Sequence, residues 1–298
     1  MSSLYKIGII GLGFVGGSIL KSFEIKKINV TGYDKFKDGG INTFDDVKDA
    51  DVVFLALPTL YSDALQEYDK SSLHSICAKL RDAQFKGIVV IKSTVEPGTS
   101  ENFAKQYNLS LVHNPEFLTA RTAFLDFHNQ SHIVLGKTSV STDAQIDQLE
   151  SFYREHWPDA EYSRGTSTET ETMKIACNTF YAVKVQFFNE LYSIAQKDGA
   201  DYVTVRNMML ENKWINPMHT DVPGPDGQFS YGGACLPKDS SALMHHMRRN
   251  QSIHEVVKGC VNERNEMRKD EKVSKNGNKN GNKNGNKNGN KNGNKNGD

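Results

Sequence analysis

The chain has 298 residues, 24% charged and 37% apolar, with a formal net charge of zero, a length that suggests about two domains. From Lys275 to Asp298 the sequence is a repeated Lys-Asn-Gly-Asn tetrad whose six lysines and one aspartate leave +5, so residues 1–274 carry −5, which argues against a nucleic-acid footprint. The four cysteines (Cys77, Cys177, Cys235, Cys260) form no C-x-x-C pair, Met1 to Lys6 lacks the apolar core of a signal peptide, and no run approaches the ~18 apolar residues of a membrane span, so no zinc site or membrane segment is expected and a reducing cytoplasm is.

Lys6 to Ile10 is a short apolar run that reads as a buried strand. Gly11-Leu12-Gly13-Phe14-Val15-Gly16 follows, then a helical stretch to about Glu24. Further strands are read at Ile28 to Tyr33, Asp51 to Pro58, Gly87 to Ile91, Leu109 to Val112 and His132 to Leu135, with a helix over Leu73 to Phe85. Short apolar strands alternating with helices predict a βαβ series and a Rossmann-type doubly wound parallel sheet over residues 1–165. Ser167 to Asp198 then contains neither proline nor glycine, and Met173, Ala176, Phe180, Val183, Phe187, Leu191 and Ile194 recur at spacings of three and four. That is a long helix with a broad apolar face, ended by Gly199. Helices are also expected over Ala200 to Leu210, Lys238 to Met247 and Ser252 to Met267, around a loop from Asn212 to Gly233 rich in proline and glycine. An all-helical unit over 166–270 thus follows the sheet. The tract 271–298 cannot offset its ordering entropy and is expected to be disordered.

Gly11, Gly13 and Gly16 match G-x-G-x-x-G between a strand and a helix. The first glycine permits the tight turn, the second lets a pyrophosphate approach the backbone, and the third allows close helix–strand packing. Phe14 and Val15 open the helix whose N-terminus faces the phosphates. Asp34 ends the second strand, placed for the ribose hydroxyls. A 2′-phosphate there would meet a carboxylate at a cost of ~4 kcal/mol, which favours NAD over NADP.

Cys235 lies between Gly232-Gly233 and Pro237-Lys238-Asp239. Those glycines leave the backbone free to turn amides toward a substrate, Lys238 adds positive field and is grouped with the cofactor residues, and Asp239 is placed to position a water. A thiol attacks a carbonyl only as thiolate, so a hydride-accepting cofactor beside it suggests an aldehyde held covalently and oxidised to an acid. The alternative is a small packed cysteine, the reading given to Cys77 and Cys177. Lys174 and Asn178 share one face of the long helix; the lysine either snorkels to solvent or serves a site. Thr94 and Glu116 sit beyond strand ends, where open α/β sheets bind ligands. His245 and His246 are adjacent and point apart, and His219 stands alone, so no metal site is expected.

Together, Gly11 to Gly17, Ser93-Thr94-Val95, Asn114-Pro115-Glu116-Phe117-Leu118, Lys174-x-x-x-Asn178 and Gly232 to Asp239 resemble, in order, the UDP-glucose/GDP-mannose dehydrogenase family. The resemblance implies an NAD-dependent nucleotide-sugar 6-dehydrogenase: two NAD per sugar, and Cys235 as the nucleophile carrying a thiohemiacetal and then a thioester; separately, the long apolar helix predicts a homodimer through its exposed face. It implies that Lys174 stabilises the C6 oxygen with Asn178 beside it, that Asp239 and Thr94 hold the hydrolytic water, and that Glu116 assists proton transfer. Phe117-Leu118 and the loop containing Phe229, Tyr231, Gly232 and Gly233 would cradle the sugar of a nucleotide-sugar substrate. Three departures stand out. Ala120-Arg121 replaces a frequent Glu-Gly, Trp214 is the nearest match to an arginine that reaches the partner subunit, and the chain passes from Lys269 to the tetrad repeat where the family carries a second Rossmann-like domain. Two other readings are a two-electron β-hydroxyacid-type dehydrogenase, which does not need Cys235, and a catalytically silent NAD-binding or assembly module.

Overall fold

The computed structural model describes residues 5–119 and 121–268; the expectation for 271–298 lies outside the described residues. The first strands are almost purely aliphatic because both faces of the sheet are covered. Along β1 (Ile7–Ile10), Ile7 and Ile9 join one core and Ile10 the other. In β3 (Val52–Leu55), Val52 and Phe54 face one way and Val53 and Leu55 the other. α1 (Phe14–Ile25) packs Phe23 into the first core against Phe54, Phe152 and Trp157. α2 (Ser71–Asp82) and α3 (Thr99–Tyr107) supply Leu73, Cys77, Leu80 and Phe103 to the second. With β2 (Val30–Tyr33), β6 (Ile88–Ile91), β7 (Ser110–His113), β8 (His132–Lys137) and β9 (Glu161–Thr166), the sheet runs β2-β1-β3-β6-β7-β8-β9. Between β3 and α2 lies a small antiparallel hairpin, β4 (Tyr61–Ser62) and β5 (Glu67–Tyr68).

The strand order reverses between β1 and β3, the position where such sheets bind ligands, and the glycine turn leaves β1 at that point. The sheet is parallel except at one seam: β7 pairs β8 antiparallel, and β8 pairs β9 parallel. The helix in the intervening segment, α4 (Ala123–His128), has only six residues, about 9 Å of rise. The chain enters β8 at the edge where β7 ends and runs back antiparallel to it. A 14-residue helix, α5 (Asp143–His156), then carries the chain back for β9.

The helical region begins at once. Thr166 and Glu169 form a capping box at the start of α6 (Ser167–Lys197, 31 residues). α7 (Tyr202–Glu211), α8 (Leu236–Arg249) and α9 (Glu255–Met267) pack around it. The described residues form one compact unit, and α6 is tied to the sheet region by a buried carboxylate. Glu171 accepts from the amides of Gly98 (2.6 Å) and Ser100 (2.8 Å) at the start of α3. Burial pushes it up to about 7 against the pull of those amides. Among the described residues no helix is long and apolar enough to cross a membrane.

Candidate active site

At the glycine turn, Gly11 has φ +89°, and a side-chain carbon there would strike the Ala56 carbonyl at 2.6 Å. A carbon on Gly16 would meet the Gly11 carbonyl at 1.8 Å, so α1 and β1 close up only because that position is bare. Gly13 differs: its missing side chain would meet nothing within 4 Å, and the open space lies at the N-terminus of α1, which has no acidic residue in its first turn. These features fit a dinucleotide pyrophosphate on the backbone amides. Asp34 accepts from the amides of Leu12 (2.7 Å), Phe36 (2.9 Å) and Lys37 (3.0 Å). Burial pushes its carboxyl up, but those amides and the Lys37 charge outweigh it and hold it below its usual value. Asp34 therefore locks the glycine turn. Lys37, unnoticed in the sequence, donates to the Leu12 carbonyl at 2.8 Å, so a cation accompanies the carboxylate. Phe14 is exposed, and Val15 packs against the first core.

The second cluster forms where β6, β7, α6 and α8 converge. Cys235 is exposed and occupies the N-cap of α8, where the helix dipole favours a thiolate. Burial of the sulfur pushes the thiol up; Lys238 and Lys174 pull it down and Asp239 and Glu116 push it up, leaving it above its ordinary value. The thiol is surrounded by the four charged groups singled out in the sequence. Lys174 does not snorkel: it is 5% exposed, donates to the Glu116 carbonyl at 2.5 Å and lies 3.6 Å from the Glu116 carboxylate. Glu116 also accepts from the Leu118 amide at 2.6 Å, which curls the loop after β7. Phe117 stacks on His132 beneath Lys174, and Leu118 packs against the first core.

Asp239 is fully buried. Asn178 donates to one of its oxygens at 2.6 Å, and Lys238 at 2.5 Å and the Tyr68 hydroxyl donate to the other. Lys238 is therefore engaged by Asp239 and by the Tyr68 ring, 4.6 Å away. Thr94 is 9% exposed, and its carbonyl accepts from Thr59 at 2.7 Å. Of the glycine-rich loop, Gly233 needs its φ of +80° and faces open space, whereas the Arg268 guanidinium lies against Gly232. Phe229 is half-exposed against Tyr192. The Tyr231 ring is buried with Ala182 and Cys260, so it shapes the loop from beneath.

Sequence reasoning missed Tyr68 and Lys92. Lys92 is 2% exposed and donates to Asn114 Oδ1 at 2.8 Å, an oxygen that also accepts from Tyr153 at 2.6 Å. Burial brings it down to about 7, with Glu116 and Lys174 pulling in opposite directions. It lies immediately before Ser93-Thr94, the one sequence signal available. Beside it, buried His113 bonds Thr170 at 2.8 Å and is held down at about 3 by burial and the two ammonium groups.

A doubly wound sheet with a glycine turn at its switch point, joined to helices that present a cysteine among paired charges, defines a dinucleotide-binding protein of the Rossmann class. The chain belongs to the UDP-glucose/GDP-mannose dehydrogenase family: the family's NAD binding domain matches residues 39–156 and its central domain residues 168–266. The cofactor is accordingly NAD. The chain is 30% identical over 221 residues to UDP-glucose 6-dehydrogenase of Campylobacter jejuni, covering 74% of this chain and 54% of that protein. It is 30% identical over 227 residues to GDP-mannose 6-dehydrogenase of Pseudomonas aeruginosa, covering 71% and 50%. A solved UDP-glucose dehydrogenase from Pyrobaculum islandicum superposes with a TM-score of 0.78 at 23% identity, covering 89% of this chain and 68% of that one. The chain spans about half the length of these curated relatives.

Proposed function

We propose that this chain is an NAD-dependent nucleotide-sugar 6-dehydrogenase that oxidises the C6 hydroxymethyl of a UDP-hexose, UDP-glucose foremost, to a carboxylate through a thioester on Cys235. The observation that carries this is Cys235, an exposed residue at a helix N-terminus whose thiol lies among Lys174, Glu116, Lys238 and Asp239. In this reading residues 1–165 hold NAD and residues 166–270 carry the cysteine loop and pair two copies. The amides of the Gly11–Gly16 turn and Asp34 would hold the cofactor, with Lys238 nearby. NAD supplies, when bound, the acceptor for each hydride that leaves C6.

Lys174 stabilises the C6 oxygen as its proton departs, giving the aldehyde. The Cys235 sulfur adds to C6 as the C=O π bond opens, and the thiol proton ends on the C6 oxygen, forming a thiohemiacetal; loss of the remaining C6 hydride to the cofactor and of that hydroxyl proton would leave the thioester. Water then adds at the carbonyl, the C–S bond breaks, and thiol and carboxylate are released. Glu116 takes the water's proton, with Thr94 and Asp239 ordering this end of the site. A thiol suits this sequence because a thioester hydrolyses more readily than the ester a hydroxyl would form. Phe117, Leu118, Phe229, Gly232 and Gly233 enclose the sugar, and Tyr231 supports them. The test is NADH formation against a panel of UDP- and GDP-hexoses. A UDP-hexose is expected to be the best substrate; turnover of none would contradict the reading.

The same reading makes the chain a homodimer through α6. Phe180, Phe187 and Ile194 lie seven residues apart and are 63%, 51% and 50% exposed, a stripe along one face of the helix. Wild-type protein should scatter light as a dimer at micromolar concentration, and Phe187→Glu should shift it toward monomer. A wild-type monomer would contradict the assignment.

A further inference from the structure

Tyr68 comes from the small hairpin, far in sequence from the cysteine loop, yet it is 0% exposed and wedged between α6 and α8 beside Ile175 and Ala242. Its amide donates to Glu96 at 2.7 Å, and Glu96 is paired with Lys70 at 3.0 Å. Arg249 of α8 donates to the Gln66 carbonyl in the turn of the hairpin at 2.7 Å. The side chain is therefore fixed at both ends. Its hydroxyl donates to the Asp239 oxygen that also accepts from Lys238, while Asn178 holds the other oxygen. Burial, then the Asp239 charge, keeps the phenol well above its ordinary range, so it is a donor throughout the working pH range. A buried carboxylate four residues from a nucleophilic thiol opposes ionisation of that thiol unless its charge is matched by donors.

We propose that Tyr68 is a positioning residue for the Cys235 chemistry: its hydroxyl fixes the Asp239 carboxylate against Lys238 and Asn178 and so sets the charge the thiol meets. This rests on Cys235 being the nucleophile. The charged and titratable groups facing this pair are Lys238 and Cys235 from the α8 segment, Glu96 from the loop after β6, Lys70 beyond the hairpin, and Lys174 and Glu116 across the thiol. Without the phenol, Asp239 keeps its charge with one donor fewer, and the thiolate becomes harder to form. Tyr68→Phe keeps the ring in its cluster and beneath Lys238, so the fold is retained.

The experiment measures the pH dependence of iodoacetamide labelling at the Cys235 peptide by mass spectrometry in four full-length proteins: wild type, Tyr68→Phe, Asp239→Asn and the double variant. In Tyr68→Phe the labelling midpoint should rise by about half a pH unit or more. In the Asp239→Asn background the same substitution should leave it unmoved, because the phenol acts through the carboxylate. An unchanged midpoint in Tyr68→Phe, or an equal rise in both backgrounds, overturns the proposal. In turnover assays, Tyr68→Phe should lose about 10- to 100-fold in kcat, the loss of one bond to a charged group, with KM for NAD unchanged; a change confined to KM overturns it as well. Labelling needs no substrate, so failure of the wild type to oxidise any nucleotide sugar would remove the functional reading while the role of Tyr68 was still decided.

Discussion

Cys235→Ser should fold, bind NAD as the wild type does and release no uronate, a fall on the order of 10³-fold or more in product formation. Position 235 is an exposed N-cap with no side-chain cap bond, and serine is among the better residues there, so thermal stability should be equal or slightly raised. The electrostatics around the sulfur explain why the exchange is not neutral. Lys174 and Lys238 favour an anion at this point, but a hydroxyl is far more weakly acidic than a thiol and gains too little from them to become a nucleophile. Calorimetric titration with NAD and chromatographic detection of the uronate separate the two halves of the expectation. Normal uronate release by the serine variant would show that no sulfur intermediate forms.

Lys92→Met should stabilise the protein at neutral pH and slow the reaction. Burial lowers the folded ammonium from 10.5 to about 7. Between about pH 7 and 10.5 the unfolded chain binds a proton that the folded chain lacks, so the wild type gains stability as pH rises through that window. At and below pH 7 the folded chain carries nearly the full cost, on the order of 5 kcal/mol. Methionine removes that cost but forfeits the donor to Asn114, about 1–2 kcal/mol, and Tyr153 still satisfies that oxygen. A net gain of about 3 kcal/mol is expected in urea melts at pH 6.5, shrinking or reversing at pH 9.5. Equal destabilisation at both pH values would contradict the assignment. Activity should fall because Lys92 anchors Asn114 and Pro115, the two residues before Glu116.

The features legible in the sequence were those that local chemistry dictates. The glycine turn shows because Gly11 and Gly16 lie where backbone contacts admit no side chain, and α6 because its apolar spacing continues from Met173 to Ile194 in a helix with neither proline nor glycine. The cysteine loop shows because Pro237 starts a helix directly after the thiol. What stayed hidden depends on long-range packing. β4 and β5 are two residues each, too short for any alternation to mark the hairpin that carries Tyr68. Lys92 follows an aliphatic strand, where a lysine normally marks the return to solvent; its burial comes from the 114–116 loop and α5 folding over it. β9 is an exposed edge strand with Glu161, Ser163 and Arg164 outward, so it lacks an apolar signature. The antiparallel β7–β8 pairing is not announced either, because nothing in the apolar run His132 to Leu135 distinguishes it from the parallel strands before it. Asp239, expected beside water, is enclosed because a tyrosine 171 positions away reaches it.

The central claim is that C6 loses two hydrides in succession, the second while it is bonded to the Cys235 sulfur. Its most direct test is the yield of NADH per sugar when UDP-glucose is limiting and the reaction is run to completion with excess NAD. Two NADH per UDP-glucose, with uronate equal to the sugar consumed, is the expected result. One NADH per sugar with no acid formed would contradict it and leave a two-electron dehydrogenase in its place.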